Sequence, residues 1–169
     1  MDGSGRDVVP HIPRLRRYAR ALTGERSRAD DLVQDTLERA LIKLHLWQPG
    51  SDLRAWLFTL MHNVFINQLR AQSTRLTAGL DNEVEQLAVR PTQTDGLEVR
   101  DLQAALLRLP DEQREVLLLV GLEQMTYEEA AGALGIPVGT VMSRLSRARE
   151  RLRGLLSGNV TPAALKVVK

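Results

Sequence analysis

Residues 126–149 read Thr126-Tyr-Glu-Glu-Ala-Ala-Gly-Ala-Leu-Gly135-Ile-Pro-Val-Gly-Thr140-Val-Met-Ser-Arg-Leu-Ser-Arg-Ala-Arg149. Thr126 followed three residues later by Glu129 has the pattern of a capping box, which starts a helix. Ala130, Ala131 and Leu134 give that helix a small inner face that a second helix can cross closely, and Gly135 permits the sharp turn between them. Ile136 can plug the corner, and Val141, Leu145, Ala148 and Leu152 recur at four-, three- and four-residue steps, so they line one side of the next helix. With that side buried, Thr140, Ser143, Arg144, Arg147 and Arg151 point outward, offering hydroxyl and guanidinium groups to bases and phosphates as a major-groove helix must. The spacing predicts a helix-turn-helix. The bland alternative is a solvated arginine-rich helix with Gly135 as an ordinary cap.

The regions around this unit read as more helices. Upstream, about Asp95 to Leu107 and Pro110 to Val120 are helical in pattern, with proline at a tolerated first-turn position, followed by Tyr127 to Leu134 and about Val138 to Leu156. Nearer the start, a helix from about Pro13 to Leu22 stops at Thr23-Gly24, and Ser27 is placed to cap a second. In that second helix Leu32, Val33, Leu37, Ala40, Leu41 and Leu44 form an apolar stripe, while Asp31, Gln34, Asp35 and Glu38 fall largely off it. A turn, Trp47-Gln-Pro-Gly-Ser-Asp52, breaks the pattern; Ser51 or Asp52 can cap a third helix reaching about Arg70, with Trp56, Leu57, Leu60, Val64 and Leu69 in its buried stripe.

The predicted architecture is all-α, in two small helical domains: residues 10–72, a flexible linker over 73–93, a helix-turn-helix domain over 94–157, and a tail over 158–169. Arg90-Pro91 disfavours helix within the linker.

Composition narrows the function classes. Hydrophobic residues make up 43% of the 169 but aromatics only 4%, so the core rests on Leu, Val and Ala, which suits packed helices. The absence of cysteine excludes disulfides, thiolate metal sites and cysteine nucleophiles, and is consistent with a reducing cytosol. No apolar run has signal-peptide or membrane-span length, so the reading is a soluble cytoplasmic protein. The net charge of +2 is uninformative, but its distribution is not: Arg144, Arg147, Arg149, Arg151 and Arg153 face the single acid Glu150, whereas Asp81 to Glu98 is acidic. There is no H-E-x-x-H, P-loop or dinucleotide fingerprint, and Asp30-Asp31 point about 100° apart on a helix; neither a metal, a cofactor nor catalysis is expected.

A helix-turn-helix alone leaves repressor, response-regulator output domain and sigma factor open. The other motifs separate them. Ala29-Asp-Asp-Leu-Val-Gln-Asp35, then Trp47-Gln-Pro-Gly-Ser-Asp-Leu-Arg-Ala-Trp-Leu57 with Asn63, then Leu109-Pro-Asp-Glu-Gln-Arg-Glu-Val116 with Pro137-Val-Gly-Thr140 and Ser143-Arg144, stand in the order found in extracytoplasmic-function sigma factors of the sigma-70 family. The chain resembles that family over nearly its whole length.

The resemblance implies a factor that binds core RNA polymerase, recognises minus-35 and minus-10 promoter elements and promotes DNA melting, usually under an anti-sigma factor. It would place Asp31, Gln34, Asp35 and Glu38 against polymerase, where the bland alternative is a solvated face. It would give the minus-10 element to the turn carrying Trp47, Gly50, Ser51 and Asp52 and to Asn63, Asn67 and Arg70, polar groups able to bond an unstacked base beside an aromatic ring. It would give the minus-35 element to Thr140, Ser143, Arg144 and Arg147, with Arg149, Arg151 and Arg153 nearer phosphate. Met142 stands where many such factors carry a basic residue, so no promoter sequence is implied. The rival from the residues alone is a free-standing regulator that binds duplex DNA as a dimer; a protein-binding adaptor would not need the outward Ser143, Arg144 and Arg147.

Overall fold

The computed structural model describes residues 7–79 and 97–158, and every regular element among them is helical. Three helices form a first group: α1 (Ile12–Thr23), α2 (Arg26–Lys43) and α3 (Leu53–Thr77). Four form a second: α4 (Leu97–Leu107), α5 (Asp111–Gly121), α6 (Tyr127–Leu134) and α7 (Val138–Gly158). Short 3-10 turns at Val9–His11 and Leu44–Leu46 precede α1 and follow α2.

The chain ends α1 where expected. Gly24 is left-handed, with φ 74°, and its N–H donates to the Arg20 carbonyl. A β-carbon there would also lie 2.5 Å from Leu107 Cδ2 of α4, so this glycine meets a packing demand as well as a conformational one. The expected Ser27 cap is not used. Gly24 reverses the chain in one residue, Glu25 takes the extended cap conformation, and helix resumes at Arg26, leaving Ser27 inside the first turn. Asp52 does cap α3, accepting from the Ala55 N–H at 3.2 Å.

Two expectations for the helix bodies change. Leu41, expected in the buried stripe of α2, is 60% exposed; the stripe runs Ala29, Leu32, Val33, Thr36, Ala40, and Leu41 lies about 100° round from Ala40. Thr36 takes the place of an aliphatic residue by donating its hydroxyl to the Leu32 carbonyl at 2.7 Å. Helix α3 also continues past Arg70 to Thr77 before Gly79, at φ 68°, departs from the helix. Ala71, Gln72, Arg75 and Leu76 are good helix formers, and no glycine or proline intervenes. The first residues of the expected linker are therefore helical, while 80–93 lie outside the described residues, as do 159–169 of the expected tail.

Leu15, Tyr18, Leu22, Leu32, Leu57, Phe58 and Met61 fill the first group, with Tyr18 and Phe58 edge-to-face at 5.1 Å and 81°, a geometry that adds about 0.5–1.5 kcal/mol to burial alone. Val116, Leu119, Ala130, Leu134, Val141 and Leu145 fill the second. The two groups share one buried core, because α3 packs on α6 and α1 packs on α4 and α5. Arg114 fastens that junction. Its guanidinium donates to the carbonyls of Leu106, Leu107 and Leu109 at 2.7–2.9 Å, to Asp111 at 3.1 Å and, across the junction, to the Leu22 carbonyl at 3.0 Å. It thereby supplies charged donors to carbonyls at the end of α4 and in the turn after it, of which that of Leu106 also accepts from the Leu109 N–H at 3.1 Å.

Candidate nucleic-acid interface

The helix-turn-helix forms from α6 and α7. Thr126 Oγ1 accepts from the Glu129 N–H at 3.1 Å, Gly135 is left-handed at φ 65°, and Ile136 packs against the core. Val141, Leu145 and Ala148 are buried on α7, which turns Ser143, Arg147 and Arg151 to solvent. Thr140 and Arg144 are half-buried. Ser143 Oγ bonds back to the Thr140 carbonyl at 3.1 Å, and Arg144 Nη2 pairs with Glu112 Oε2 at 3.6 Å. Arg147 is exposed and makes no ion pair among the described residues.

On α3, Asn63, Asn67 and Arg70 are all exposed, and their four- and three-residue steps put them on one face. The turn before the helix is tight: Gly50 has φ 92°, Ser51 Oγ donates to the Gln48 carbonyl at 2.6 Å, and the Asp52 carboxylate is occupied by its capping bond. Trp47 is half-buried against the core with Nε1 enclosed, so only part of its ring faces out; Trp56 is likewise half-buried. Asp52 and Asn63 share a helix but stand eleven residues apart, about 16 Å at ~1.5 Å per residue.

Asp31, Gln34, Asp35 and Glu38 are exposed along one face of α2. Gln68 of α3 donates to Asp35 Oδ2 at 3.0 Å, tying one of the four to the neighbouring helix. The exposed Leu41 and Ile42 follow on the same helix, so an acidic face ends in an apolar one.

A further set of side chains lies where the two helix groups meet, and the sequence reading did not identify it as a set. His62 of α3 is hydrogen-bonded through Nδ1 to Glu115 Oε2 of α5. Burial pushes the Glu115 carboxyl above its usual value, against the opposing effect of His62. Arg54 donates to the Glu123 carbonyl at 2.8 Å and to Glu129 Oε2 at 3.1 Å, so the Glu129 carboxylate engages α3. Arg17 of α1 donates to Glu123 Oε1 at 3.3 Å. The Glu123 side chain is wholly enclosed, and its Oε2 makes no hydrogen bond within the described residues. Next to it, Gln124 has φ 56°, a left-handed conformation uncommon for a residue with a side chain. One signal for this set was available in the sequence: Glu115 and Glu123 flank the apolar run Val116–Val120, and buried acids need partners.

Comparison with known proteins gives this architecture a family. Residues 8–62 match the sigma-2 domain of PhyR, and residues 100–152 match region 4 of sigma-70. The chain is 44% identical over 150 residues to the ECF RNA polymerase sigma factor EcfG of Rhodopseudomonas palustris, covering 89% of this chain and 83% of that protein. It is 31% identical over 147 residues to the ECF RNA polymerase sigma factor SigM of Bacillus subtilis, covering 85% and 89%. Among solved structures it is similar to the sigma factor RpoE bound to the anti-sigma factor NepR from Bartonella quintana, with TM-score 0.79, 36% identity and 97% of each chain covered. The chain belongs to the family of extracytoplasmic-function RNA polymerase sigma factors. Among the described residues no helix is long and apolar enough to cross a membrane.

Proposed function

We propose that this chain carries core RNA polymerase to promoters and opens them, acting in the cytoplasm without catalysing a reaction or using a cofactor. Its first domain, residues 10–72, docks on polymerase through Asp31, Gln34, Asp35 and Glu38. The same domain holds the unpaired minus-10 strand with Trp47, Gly50, Ser51, Asp52, Asn63, Asn67 and Arg70. Its second domain, residues 94–157, reads the minus-35 duplex with Thr140, Ser143, Arg144 and Arg147. Strand separation is favoured because the unpaired form gains contacts that the duplex cannot make. An anti-sigma partner follows from the relatives, since RpoE was solved with NepR and CnrH with the cytosolic domain of CnrY.

The observation that carries this reading is α7, whose Val141, Leu145 and Ala148 side is buried while Ser143 and Arg147 remain exposed. This chain also carries the acidic α2 face and the polar α3 face. A free-standing regulator has no use for them.

The reading requires the two helix groups to separate. Elements at minus-10 and minus-35 lie about 25 base pairs apart, roughly 85 Å at ~34 Å per ten pairs. In the structure His62, next to Asn63, touches Glu115; Glu115 stands one turn from Glu112, and Glu112 pairs with Arg144. Two side-chain contacts and one helical turn of ~5.4 Å reach on the order of 30 Å. The closed arrangement cannot read both elements at once.

The test is promoter opening by purified bacterial core polymerase on a library of upstream DNA, with and without the protein. Opening that needs the protein, occurs at paired elements and weakens in Arg147→Ala and Asn63→Ala supports the reading. Binding to palindromic duplex DNA without polymerase, and no opening on any template, would replace it with the free-standing regulator.

A further inference from the structure

Glu123 and Glu129 belong to the helix-turn-helix group, yet their carboxylates lie on two arginines of the other group. Glu123 Oε1 accepts from Arg17 at 3.3 Å and Glu129 Oε2 from Arg54 at 3.1 Å; Arg54 also holds the Glu123 backbone carbonyl at 2.8 Å, which brings Arg17 and Arg54 to one residue. Arg54 lies two residues past Asp52, at the N-terminus of α3, where the helix dipole adds positive potential. Arg14, Arg16 and Arg20 continue the positive face of α1, all exposed and without an ion pair among the described residues.

We propose that Arg17 and Arg54 form a binding site for a DNA phosphate, and that Glu123 and Glu129 occupy it in the closed state as carboxylate stand-ins. This inference rests on the sigma-factor reading, which requires the groups to separate and so withdraws both carboxylates. What they leave is a pair of arginines a few residues from the Gly50–Asp52 turn, suited to a phosphodiester because guanidinium groups bond phosphate oxygens as they bond carboxylates. Several features favour DNA as the occupant over an acidic protein. The site adjoins the turn given to the minus-10 strand, its donors are all arginine, and exposed arginines extend it along α1 at intervals a polyanionic backbone can follow. Glu123 supports the same view. An enclosed carboxylate with one oxygen lacking a hydrogen bond is a poor permanent partner for the half-exposed Arg17 and a displaceable one.

Substitutions in one background separate the two roles of the arginines. In Glu123→Gln/Glu129→Gln both stand-in charges are gone, and the only closure contact left to the two arginines that does not involve these side chains is Arg54 on the residue-123 backbone carbonyl. A charge-dependent effect of either arginine in this background therefore arises elsewhere. Holoenzyme carrying this double variant should bind a library-selected promoter fragment more tightly than holoenzyme with the unchanged protein. Adding Arg17→Gln should make the slope of log affinity against log salt shallower by about 0.7–0.9, and adding Arg54→Gln should do so again. Arg17 is 56% exposed, so Arg17→Gln keeps the test valid if the Arg54 variant fails to fold. A neutral methylphosphonate linkage moved along the non-template strand should weaken the double variant at one or two positions and have no effect there once the arginines are removed.

An unchanged salt slope and no sensitive linkage would overturn the proposal, leaving the arginines as closure contacts only. Weaker binding to core polymerase, with an unchanged slope, would overturn it in favour of a protein partner. Failure of the unchanged protein to support opening on any template would overturn the sigma-factor reading as well, so the two failures are told apart by that control.

Discussion

His62 of α3 and Glu115 of α5 are hydrogen-bonded across the junction of the two helix groups, 53 residues apart in sequence. Each leads to a residue with a DNA-facing role in the proposed function: Asn63 follows His62, and Glu112, one turn before Glu115, pairs with Arg144. The pair therefore fixes the spacing between the two proposed reading surfaces. Removing it should affect closure before it affects either surface.

Loss of one partner is the more severe change. His62→Ala leaves Glu115, which is almost wholly buried, without its hydrogen bond, and a buried group left unpaired costs on the order of 1–3 kcal/mol, more if charged. Adding Glu115→Gln should recover part of that loss. Urea unfolding of the two single variants and the double variant measures it, and a simple sum of the single effects would show that the residues do not act as a pair.

Acidity should act through the same carboxyl. Burial raises the Glu115 pKa, with Asp111 raising it further and His62 and Arg144 opposing. A carboxyl that binds its proton more tightly in the closed state stabilises that state most at low pH. Its contribution is lost as pH rises from the ordinary value of 4.5 through the raised one. The thermal midpoint of the unchanged protein should therefore fall relative to that of Glu115→Gln across this window, and parallel curves would assign the pH dependence to other groups.

The sequence made the helix-turn-helix legible because its signals are local: Thr126, Gly135 and the Val141-Leu145-Ala148 stripe each act within two turns of the chain. Gly24 and Asp52 were legible for the same reason. Leu41 was misplaced because one residue of helix rotates a side chain by about 100°, and an apolar residue at the edge of a stripe is ambiguous without the neighbouring helix. The extension of α3 to Thr77 was missed because an exposed polar helix has no apolar stripe to mark it. The partners of Arg54, Arg17 and His62 were beyond reach for a different reason. They depend on how α1 and α3 meet α5, α6 and the turn between those two helices, a relation between segments 53–106 residues apart that no local pattern encodes.

Arg114 should dominate the stability of the junction. Arg114→Ala removes donors from four carbonyls and Asp111 at once, so an effect of about 3–5 kcal/mol is expected, at the upper end for single substitutions. Arg114→Lys should recover only a minor part, because one ammonium cannot reproduce the planar fork. Urea unfolding reads both, and a loss under about 1 kcal/mol would show that the carbonyls find other partners.

Gly24→Ala tests the contact between α1 and α4. A side chain at φ 74° costs about 1–2 kcal/mol, and the new methyl must also push Leu107 aside. Stability should fall and the closed arrangement should loosen. The companion Leu107→Ala in the Gly24→Ala background should restore part of the loss by making room, which additive unfolding energies would contradict.

Between α5 and α7 the magnitudes separate two residues that touch each other, Glu112 and Arg144. Glu112 is 70% exposed, and an ion pair so open contributes about 0–1 kcal/mol, so Glu112→Gln should change promoter affinity by less than about fivefold. If Arg144 reaches a base, its loss should cost about 1–3 kcal/mol, a factor of about 5 to 150, and should relax sequence preference at one position of the minus-35 element. If it reaches only phosphate, Arg144→Ala should weaken all sequences alike and flatten the salt dependence by about one unit. Arg147, which makes no ion pair among the described residues, should follow one pattern or the other without any contribution from a lost ion pair. Binding of holoenzyme to a library of single-base variants, measured at two salt concentrations, assigns each arginine to bases or to backbone. Identical behaviour of both variants and the unchanged protein would remove α7 from promoter recognition.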